Sequence, residues 1–344
     1  MQVGIINGTS YFGLELVRLL SSHPEARITA ITARSQADKR LVEVSPHIAA
    51  LPCGSQLGRM RLTEAIEVSV DLVFSCLPHS ASAHSLIPFV ARGIPVVDVS
   101  ADFRLKDAAV YEKWYGDAHP APKLLDEAVY GLTEIHRAEI SQTRIVGNPG
   151  CYPTAAILAL APVVAEGLVE PSVIVDAKSG ISGGGRALNL DNHFSEVNES
   201  VHAYAVGGHR HGPEMVQELS AIAGANVSVT FVPHLVPMTR GILATCYATL
   251  KSSISQSQLV DVYKSAYAND PFVLVTDLPP RTKWTYSSNY CAVNAALNDA
   301  GTVIVVTAAL DNLVKGAAGQ ALQNANVMMG FEETAGLTAP PVYP

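Results

Sequence analysis

A single thiol lies between a glycine-proline loop and the start of a helical pattern. Cys151 follows Gly147–Gly150, which reads Gly-Asn-Pro-Gly, and the run of helix formers Thr154–Ala161 comes soon after. Because Pro153 suits only the first turn of a helix, Cys151 is predicted to lie at or just before the helix N-terminus. Unpaired N–H groups and the helix dipole there favour a thiolate, with a pKa of roughly 3.5–7.5 instead of about 8.5. The pattern predicts a nucleophile, and the alternative is a buried structural cysteine.

Two histidines stand two residues apart in the segment Gly207–Glu214, ahead of a predicted helix that begins near Pro213. In an extended segment, side chains at this spacing point to the same side, so His209 and His211 are expected to face one cleft. One ring can transfer protons near neutral pH, and Glu214 can orient it. Two alternatives remain, a solvated loop histidine and a metal site in which a third ligand completes the His-x-His pair.

A glycine-rich loop, Lys178–Arg186, follows a predicted strand. Its backbone N–H groups can approach a ligand closely because glycine has no side chain, and Arg186 can pair with a carboxylate or a phosphoryl group. A ligand-binding loop and a flexible hinge are both compatible with this composition.

The first predicted strand leads into a turn of small residues and then into a helix, Leu14–Leu20. This order of elements is typical of a site in which backbone N–H groups bind the pyrophosphate of a dinucleotide. A plain βα turn is the alternative. The turn has two of the three glycines of the Gly-x-Gly-x-x-Gly pattern. The residues predicted to contact a cofactor here are Gly8, Thr9, Ser10, Tyr11, Phe12 and Gly13.

The second predicted strand ends about twenty residues later, where an NAD-specific fold carries an acid that holds the ribose 2′-OH. Arg34 and Ser35 occupy this place, and no acid does. A guanidinium and a hydroxyl suit the 2′-phosphate of NADP. We therefore expect NADP as the cofactor, with a solvated surface arginine as the alternative.

The order of elements along the chain predicts two domains. Strands and helices alternate through the first 150 residues, which predicts a doubly wound parallel sheet of the Rossmann type. From about residue 172 longer strands follow with few helices between them, which predicts an α+β domain with a mixed or antiparallel sheet. We expect residues 1–150 plus 310–344 to form the NADP-binding domain, and residues 151–309 to form a catalytic, substrate-binding and oligomerisation domain.

The composition is that of a packed globular protein of 344 residues, with 48% hydrophobic and 16% charged residues and a net charge of -8. Without a basic run, nucleic acid is a poor partner, and an anionic small substrate would need locally placed arginines. No charged leader and no 18-residue apolar span are present, so we expect a cytoplasmic protein that does not contact membranes. Five scattered cysteines without a Cys-x-x-Cys pair favour reduced thiols.

With these residues in view, the chain resembles the N-acetyl-gamma-glutamyl-phosphate reductases of arginine biosynthesis, a family in the aspartate-semialdehyde-dehydrogenase-like group. The resemblance covers nearly the full length and implies Cys151 as nucleophile, the His209/His211 segment as acid/base region and NADP as cofactor. In the first turn, Asn7 and Ser10 replace two glycines of the family pattern Gly-x-Ser-Gly-Tyr-x-Gly. The motifs that carry the resemblance are Val97–Leu105, Ala128–Leu132, Gly147–Thr154, Lys178–Arg186, His209–Glu214, Pro233–Gly241 and Asp311–Gly319.

Further roles follow from these motifs. The resemblance implies that Asn312 lies near the nicotinamide. We expect a homo-oligomer, a dimer or a tetramer, and no metal. The remaining expected contacts are Ser182 and Gly183 with the cofactor, and Arg104, Asn148 and Arg186 with the substrate.

The expected reaction is the NADPH-dependent reduction of N-acetyl-glutamyl phosphate to the semialdehyde through a thioester on Cys151. A rival interpretation keeps this chemistry on an aminoadipyl or glutamyl phosphate linked to a small acidic carrier protein, for which the net charge of -8 gives no support. Two rivals from other classes are a metal hydrolase that uses His209, His211 and Cys151 or Glu214, and a catalytically silent NADP-binding sensor.

Overall fold

The computed structural model describes residues 1–344, which form two compact units. Unit 1 contains Met1–Pro149 and Ala317–Ala339, and unit 2 contains Gly150–Gly316 and Pro340–Pro344. These units differ from the expected domains at residues 150, 310–316 and 340–344, which group with unit 2. None of the helices combines the length and the apolar character that crossing a membrane requires.

Hydrogen bonds within unit 2 explain this grouping. The buried carboxylate of Asp311 accepts hydrogen bonds from the backbone N–H groups of Ser287 and Leu313, both at 2.8 Å. Near the C-terminus, the backbone N–H of Val342 donates to the carbonyl of Tyr286 at 3.0 Å. The sequence pattern does not show these hydrogen bonds, so it could not place this domain boundary correctly.

Unit 1 is a six-stranded, wholly parallel sheet with helices. Its strands are β1 Gln2–Ile6, β2 Arg27–Ile31, β3 Leu72–Ser75, β4 Val96–Asp98, β5 Val129–Tyr130 and β6 Ile145–Gly147, in the order β2-β1-β3-β4-β6-β5. Strands β3, β4 and β6 are buried along their whole length, as apolar runs in a parallel sheet require. Its helices include α1 Tyr11–Leu20, α2 Leu41–Val44, α3 Gly54–Arg59, α4 Ala81–Ala91, α5 Ala108–Tyr115, α6 Leu124–Glu127 and α7 Thr133–Ile140.

Unit 2 is a seven-stranded mixed sheet with helices. Its strands are β7 Val169–Ser179, β8 His202–Ala203, β9 Ser228–Leu235, β10 Ile242–Leu250, β11 Val273–Val275, β12 Cys291–Leu297 and β13 Val303–Leu310, in the order β11-β12-β13-β10-β7-β9-β8. The pairs β11/β12 and β7/β9 are parallel, and the other pairs are antiparallel. Its helices are α8 Cys151–Ala165, α9 Phe194–Val197, α10 Gly212–Ala223 and α11 Gln256–Ala266, and the last helix of the chain, α12 Gly319–Met328, lies in unit 1.

The predicted fold class is confirmed, with one parallel α/β unit and one α+β unit around a mixed sheet. The expectation of few helices in the second half overlooked α11. Its start is readable from the sequence, because Ser255 and Gln258 form a capping box in which each side chain binds the other's backbone N–H.

Helix α8 forms the centre of unit 2. All residues of Tyr152–Val164 are buried, as a helix that is apolar on every side requires. Pro162 has no N–H, so the carbonyl of Leu158 lacks its helical partner. The hydroxyl of Tyr267 donates to that carbonyl at 2.5 Å. This bond gives the carbonyl a partner although Pro162 lies inside the helix that carries Cys151.

Candidate active site

Cys151 is the first residue of α8, so the predicted helix start is confirmed. Gly150 is the N-cap, with φ -67° and ψ 148°, and the thiol side chain is partly buried. The first-turn N–H groups of a helix have no intrahelical acceptor and favour a negative charge. The thiol therefore lies where a thiolate is stabilised.

His211 and Glu214 lie against Gly150. A Cβ atom on Gly150 would lie 2.8 Å from Nε2 of His211 and 3.0 Å from Oε1 of Glu214, so only glycine leaves room for both side chains. Glu214 is fully buried, and its Oε2 accepts a hydrogen bond from the backbone N–H of Gly150 at 2.9 Å. Unit 2 thus brings an imidazole and a carboxylate to the residue that precedes Cys151.

The His-x-His segment is a turn, so the expectation of an extended segment is wrong. His211 has helical backbone angles, φ -85° and ψ -12°, as the N-cap of α10. Its backbone N–H donates to Nδ1 of His209 at 3.1 Å, and the two ring centroids lie 4.8 Å apart. The rings of His209 and His211 are still in contact, because the hydrogen bond from the backbone of His211 to the side chain of His209 closes the turn.

Three aromatic rings surround His209. Their centroids lie 5.4 Å (Phe231), 5.5 Å (Tyr204) and 6.0 Å (Tyr152) from its own, each edge to face. Burial, and secondarily the charge of Arg210, lowers the pKa of His209 to about 4. His209 is therefore neutral at pH 7.

Two tyrosine hydroxyls extend this aromatic cluster. Tyr152 donates to the carbonyl of His234 at 3.0 Å, and Tyr204 donates to the hydroxyl of Tyr152 at 3.4 Å. Burial raises the pKa of both tyrosines. This cluster was not predicted from the sequence. Tyr152 could have been found from its place directly after Cys151, whereas Tyr204 and Phe231 carry no local signal.

Gly316 packs directly on Cys151. A Cβ atom on Gly316 would lie 2.8 Å from Cβ and 3.3 Å from Cα of Cys151. Gly316 lies in a π-helical turn, Val314–Ala318, a distortion that is frequent at functional sites. The contact of Gly316 with Cys151 was not predicted from the sequence, although a glycine inside a helical pattern is a signal of close packing.

The glycine-rich loop is held by a neighbouring segment of unit 2. The backbone N–H groups of Gly180, Ile181 and Ser182 donate to carbonyls of Met238–Gly241 at 2.9 to 3.1 Å. These three donors are occupied within the fold, so a ligand that approaches the loop would meet other N–H groups of Lys178–Arg186. The largely exposed stretch Gly183–Arg186 follows it.

Asn312 also helps to hold this loop. Its Oδ1 accepts from the backbone N–H of Gly241 at 2.8 Å, and its Nδ2 donates to Oγ of Ser182 at 2.9 Å. Both side chains are buried. A nicotinamide contact at either residue would compete with these bonds, and the cofactor roles of Ser182, Gly183 and Asn312 stay predictions.

The β1–α1 turn of unit 1 excludes side chains at its glycines. A Cβ atom on Gly13 would lie 2.5 Å from Cα of Gly8, and one on Gly8 would lie 2.4 Å from Cγ2 of Ile31. Ser10 caps α1 and accepts the N–H of Gly13 at 3.1 Å. This compact turn at a helix N-terminus fits the pyrophosphate of a dinucleotide.

Asn7 occupies the place of a family glycine in a backbone conformation that glycine favours. Its φ is 58°, in the left-handed region that asparagine tolerates better than most residues. Its side chain also donates to the carbonyl of Cys76 at 2.8 Å. Of the other turn residues, Thr9 is buried, Phe12 is partly buried and Tyr11 is exposed.

Arg34 and Ser35 are exposed in a short 3-10 helix, Arg34–Gln36, that follows β2. β2 pairs with β1, and β1 leads into the glycine turn. A solvent-facing guanidinium and hydroxyl, without an acid at the end of β2, fit the 2′-phosphate of NADP better than the free 2′-OH of NAD.

Arg104 and Asn148, the two predicted substrate contacts in unit 1, are buried and hydrogen-bonded within the fold. Arg104 donates from Nε to the carbonyl of Asn148 at 2.7 Å and from Nη2 to the carbonyl of Val99 at 2.9 Å. The amide of Asn148 donates to the carbonyl of Ala317 at 3.1 Å and accepts from Asn324 at 3.0 Å. A substrate contact would have to share or replace these bonds.

Two family models match most of the chain. The model described as semialdehyde dehydrogenase, NAD binding domain, matches residues 2–143. The model described as semialdehyde dehydrogenase, dimerisation domain, matches residues 151–312.

The chain is also similar to curated enzymes named N-acetyl-gamma-glutamyl-phosphate reductase. The enzyme of Dehalococcoides mccartyi is 48% identical over 340 residues, which cover 98% of this chain and 97% of the relative. The enzyme of Symbiobacterium thermophilum is 48% identical over 349 residues, covering 100% and 99%. The enzyme of Geobacillus stearothermophilus is 47% identical over 347 residues, covering 100% of both chains.

Solved structures with a similar fold include two aspartate semialdehyde dehydrogenases. Enzyme II of Vibrio cholerae, complexed with ASA, superposes with a TM-score of 0.70 at 14% identity and covers 96% of this chain and 98% of its own. The Candida albicans enzyme with NADP superposes with a TM-score of 0.69 at 17% identity and covers 95% and 98%. At such low identities the likeness shows the shared fold alone.

Proposed function

The chain belongs to the N-acetyl-gamma-glutamyl-phosphate reductase family of semialdehyde dehydrogenases, and on this basis we propose that it reduces N-acetyl-L-glutamyl 5-phosphate to the 5-semialdehyde with NADPH. The observation that carries the proposal is the position of Cys151 at the N-terminus of α8, with His211 and Glu214 against the preceding Gly150. A thiol, an imidazole and a carboxylate are groups that covalent acyl transfer uses.

Cys151 acts as the nucleophile. Its thiolate attacks the carbonyl carbon of the acyl phosphate, so a C–S bond forms and the C–O bond to phosphate breaks, with phosphate as the leaving group. Glu214 already occupies the N–H of Gly150. The first-turn N–H groups of α8 are therefore the backbone donors that stabilise the developing oxyanion.

His211 carries the proton transfer. Its Nε2 lies against Gly150, next to the nucleophile, whereas burial keeps His209 neutral. An imidazole in this place can accept the thiol proton in one step and donate a proton to the substrate oxygen in another. The carboxylate of Glu214 fixes the backbone of Gly150, against which this ring lies.

Unit 1 is proposed to bind NADP. Gly8–Gly13 supply the backbone cradle for the pyrophosphate, and Arg34 and Ser35 supply partners for the 2′-phosphate. When bound, NADPH supplies the hydride that brings the acyl group to the aldehyde level. Further candidate contacts are Ser182, Gly183 and Asn312 for the cofactor, and Arg186, Arg104 and Asn148 for the substrate.

We also propose a homodimer formed through the sheet of unit 2. The family model for residues 151–312 is described as a dimerisation domain. Ile174 and Tyr247 are register partners on β7 and β10, and both are exposed. A second copy that covers this face would bury them. Sedimentation should show a dimer for the wild type and a monomer for Ile174→Asp, and a monomeric wild type would contradict the proposal.

The alternatives have less support. The relatives named above favour a free N-acetylated acyl phosphate over one linked to a carrier protein. The metal hydrolase would need a ligand set, and no group of three or more His, Cys, Asp or Glu side chains in the chain is arranged to hold a metal ion.

The reverse reaction tests the thioester. Because an acyl-enzyme shielded from water needs phosphate as its acceptor, semialdehyde and NADP without phosphate should give a burst of NADPH equal to the enzyme concentration. The peptide that contains Cys151 should carry an acyl adduct, and Cys151→Ser should show neither signal. The control is Cys53→Ser, which removes an exposed thiol and should behave as wild type.

Two outcomes would contradict this mechanism. Steady NADPH formation without phosphate would indicate hydrolytic aldehyde oxidation. Steady turnover by Cys151→Ser would show that this thiol is not the nucleophile. A panel of acyl phosphates in the forward direction would identify the acyl group.

A further inference from the structure

His209 accepts a hydrogen bond from the chain two residues ahead of it. Its Nδ1 accepts the backbone N–H of His211 at 3.1 Å, and its carbonyl accepts the N–H of Gly212 at 2.8 Å. His211, the N-cap of α10, makes no side-chain capping bond of its own. The side chain of His209 thus closes the turn from which His211 extends.

We propose that His209 is a positioning residue, a neutral ring whose Nδ1 accepts the backbone N–H of His211 and thereby fixes where His211 meets Gly150. This inference rests on the proposed function, in which His211 transfers the proton. It separates two histidines that the sequence could not tell apart.

The bond requires a neutral ring. Neutral imidazole accepts at Nδ1 when its proton is on Nε2, whereas the protonated ring donates from both nitrogens and would lose this bond. Enclosure by Tyr152, Tyr204 and Phe231 lowers the pKa of His209 to about 4, so the ring remains an acceptor across the neutral range. The cluster that protects the bond includes Tyr152, the residue after the nucleophile.

The turn has the form of an Asx turn. In such a turn the side chain of an asparagine or aspartate accepts the backbone N–H two residues later, which His209 does here through Nδ1. Asparagine places its oxygen near the position of Nδ1, whereas glutamine is longer and places its polar atoms nearer the position of Nε2. The two amides therefore test which ring nitrogen matters.

The experiment compares His209→Asn and His209→Gln by turnover, KM and pH profile. Asn should keep kcat within about fivefold of wild type with an unchanged pH profile. Gln should lower kcat on the order of 10²-fold with little change in KM, because it leaves His211 misplaced without removing a substrate contact. His211→Asn should remove the acid/base group from the profile.

A second measurement does not depend on activity. Nitrogen NMR of the wild type should show Nδ1 of His209 unprotonated throughout the range from about pH 6 to about pH 8. A ring that titrates in this range, or equal losses for Asn and Gln, would overturn the positioning role. If the acyl phosphate is not reduced at all, the proposed function fails, while the NMR signal still decides the state of His209.

Discussion

The carboxylate of Glu214 accepts a hydrogen bond of 2.9 Å from the backbone N–H of Gly150, the residue before Cys151. Glu214 is fully buried in the first turn of α10, and Gly150 caps α8. One charge-assisted hydrogen bond therefore connects the N-terminus of α8, which begins at Cys151, with the N-terminus of α10, which follows His211.

Removal of this acceptor should destabilise the protein. Glu214→Ala leaves the buried N–H of Gly150 without its partner and should lower the free energy of unfolding by about 1.5–3 kcal/mol in urea. Glu214→Gln keeps an oxygen in place and should retain most of the stability. The control is Glu166→Ala, at the exposed end of α8, with a change within about 0.5 kcal/mol. Equal effects of Glu214→Ala and Glu166→Ala would contradict this role.

Gly316→Ala should impair the nucleophile. The added Cβ would lie 2.8 Å from Cβ of Cys151, so the thiol must move, and turnover should fall on the order of 10²-fold. The overpacking should also cost about 1–3 kcal/mol of stability. Gly207→Ala is the control, because nothing lies within 4 Å of its added Cβ. Alkylation of Cys151 at the wild-type rate in Gly316→Ala would argue against the contact.

Arg34 should select NADPH over NADH. Arg34→Ala should raise the KM for NADPH and leave the KM for NADH nearly unchanged, because only the 2′-phosphate loses its partner. Arg59→Ala, which removes another exposed arginine of unit 1, should change neither value. Parallel losses with both cofactors in Arg34→Ala would rule out a 2′-phosphate contact.

The burial of His209 should make stability depend on pH. Its pKa falls from 6.5 to about 4 on folding, so the unfolded chain binds more protons between these values. The wild type should therefore lose stability as the pH falls from 6.5 towards 4, and His209→Asn should lack this component. The titratable or charged groups that face the ring are Tyr152, Tyr204, His211 and Arg210.

Urea unfolding at a series of pH values measures this difference. The free energy of unfolding of the wild type minus that of His209→Asn should be constant above about pH 7 and should decrease as the pH falls below it. The control is His47→Asn, which replaces an exposed histidine and should leave the pH dependence unaltered. A gap that stays constant down to about pH 4 would mean that His209 is not buried in its neutral form.

The sequence by itself determined the features that depend on neighbouring residues. The strand, turn and helix pattern predicted the parallel sheet and the compact turn of Gly8–Gly13. Pro153 and the loop before Cys151 predicted the thiol at a helix start. Each of these follows from local backbone rules, because capping, turn geometry and strand alternation act within a few residues.

The tertiary structure decided what surrounds these features. It placed Gly316 against Cys151 and enclosed His209 between Tyr204 and Phe231, so that one histidine is neutral and the other lies beside Gly150. Gly316 is distant in the chain from Cys151, and Phe231 from His209, and these pairs meet through strand register and side-chain packing. Periodicity shows which face of an element is buried, but not which distant side chain lies against it.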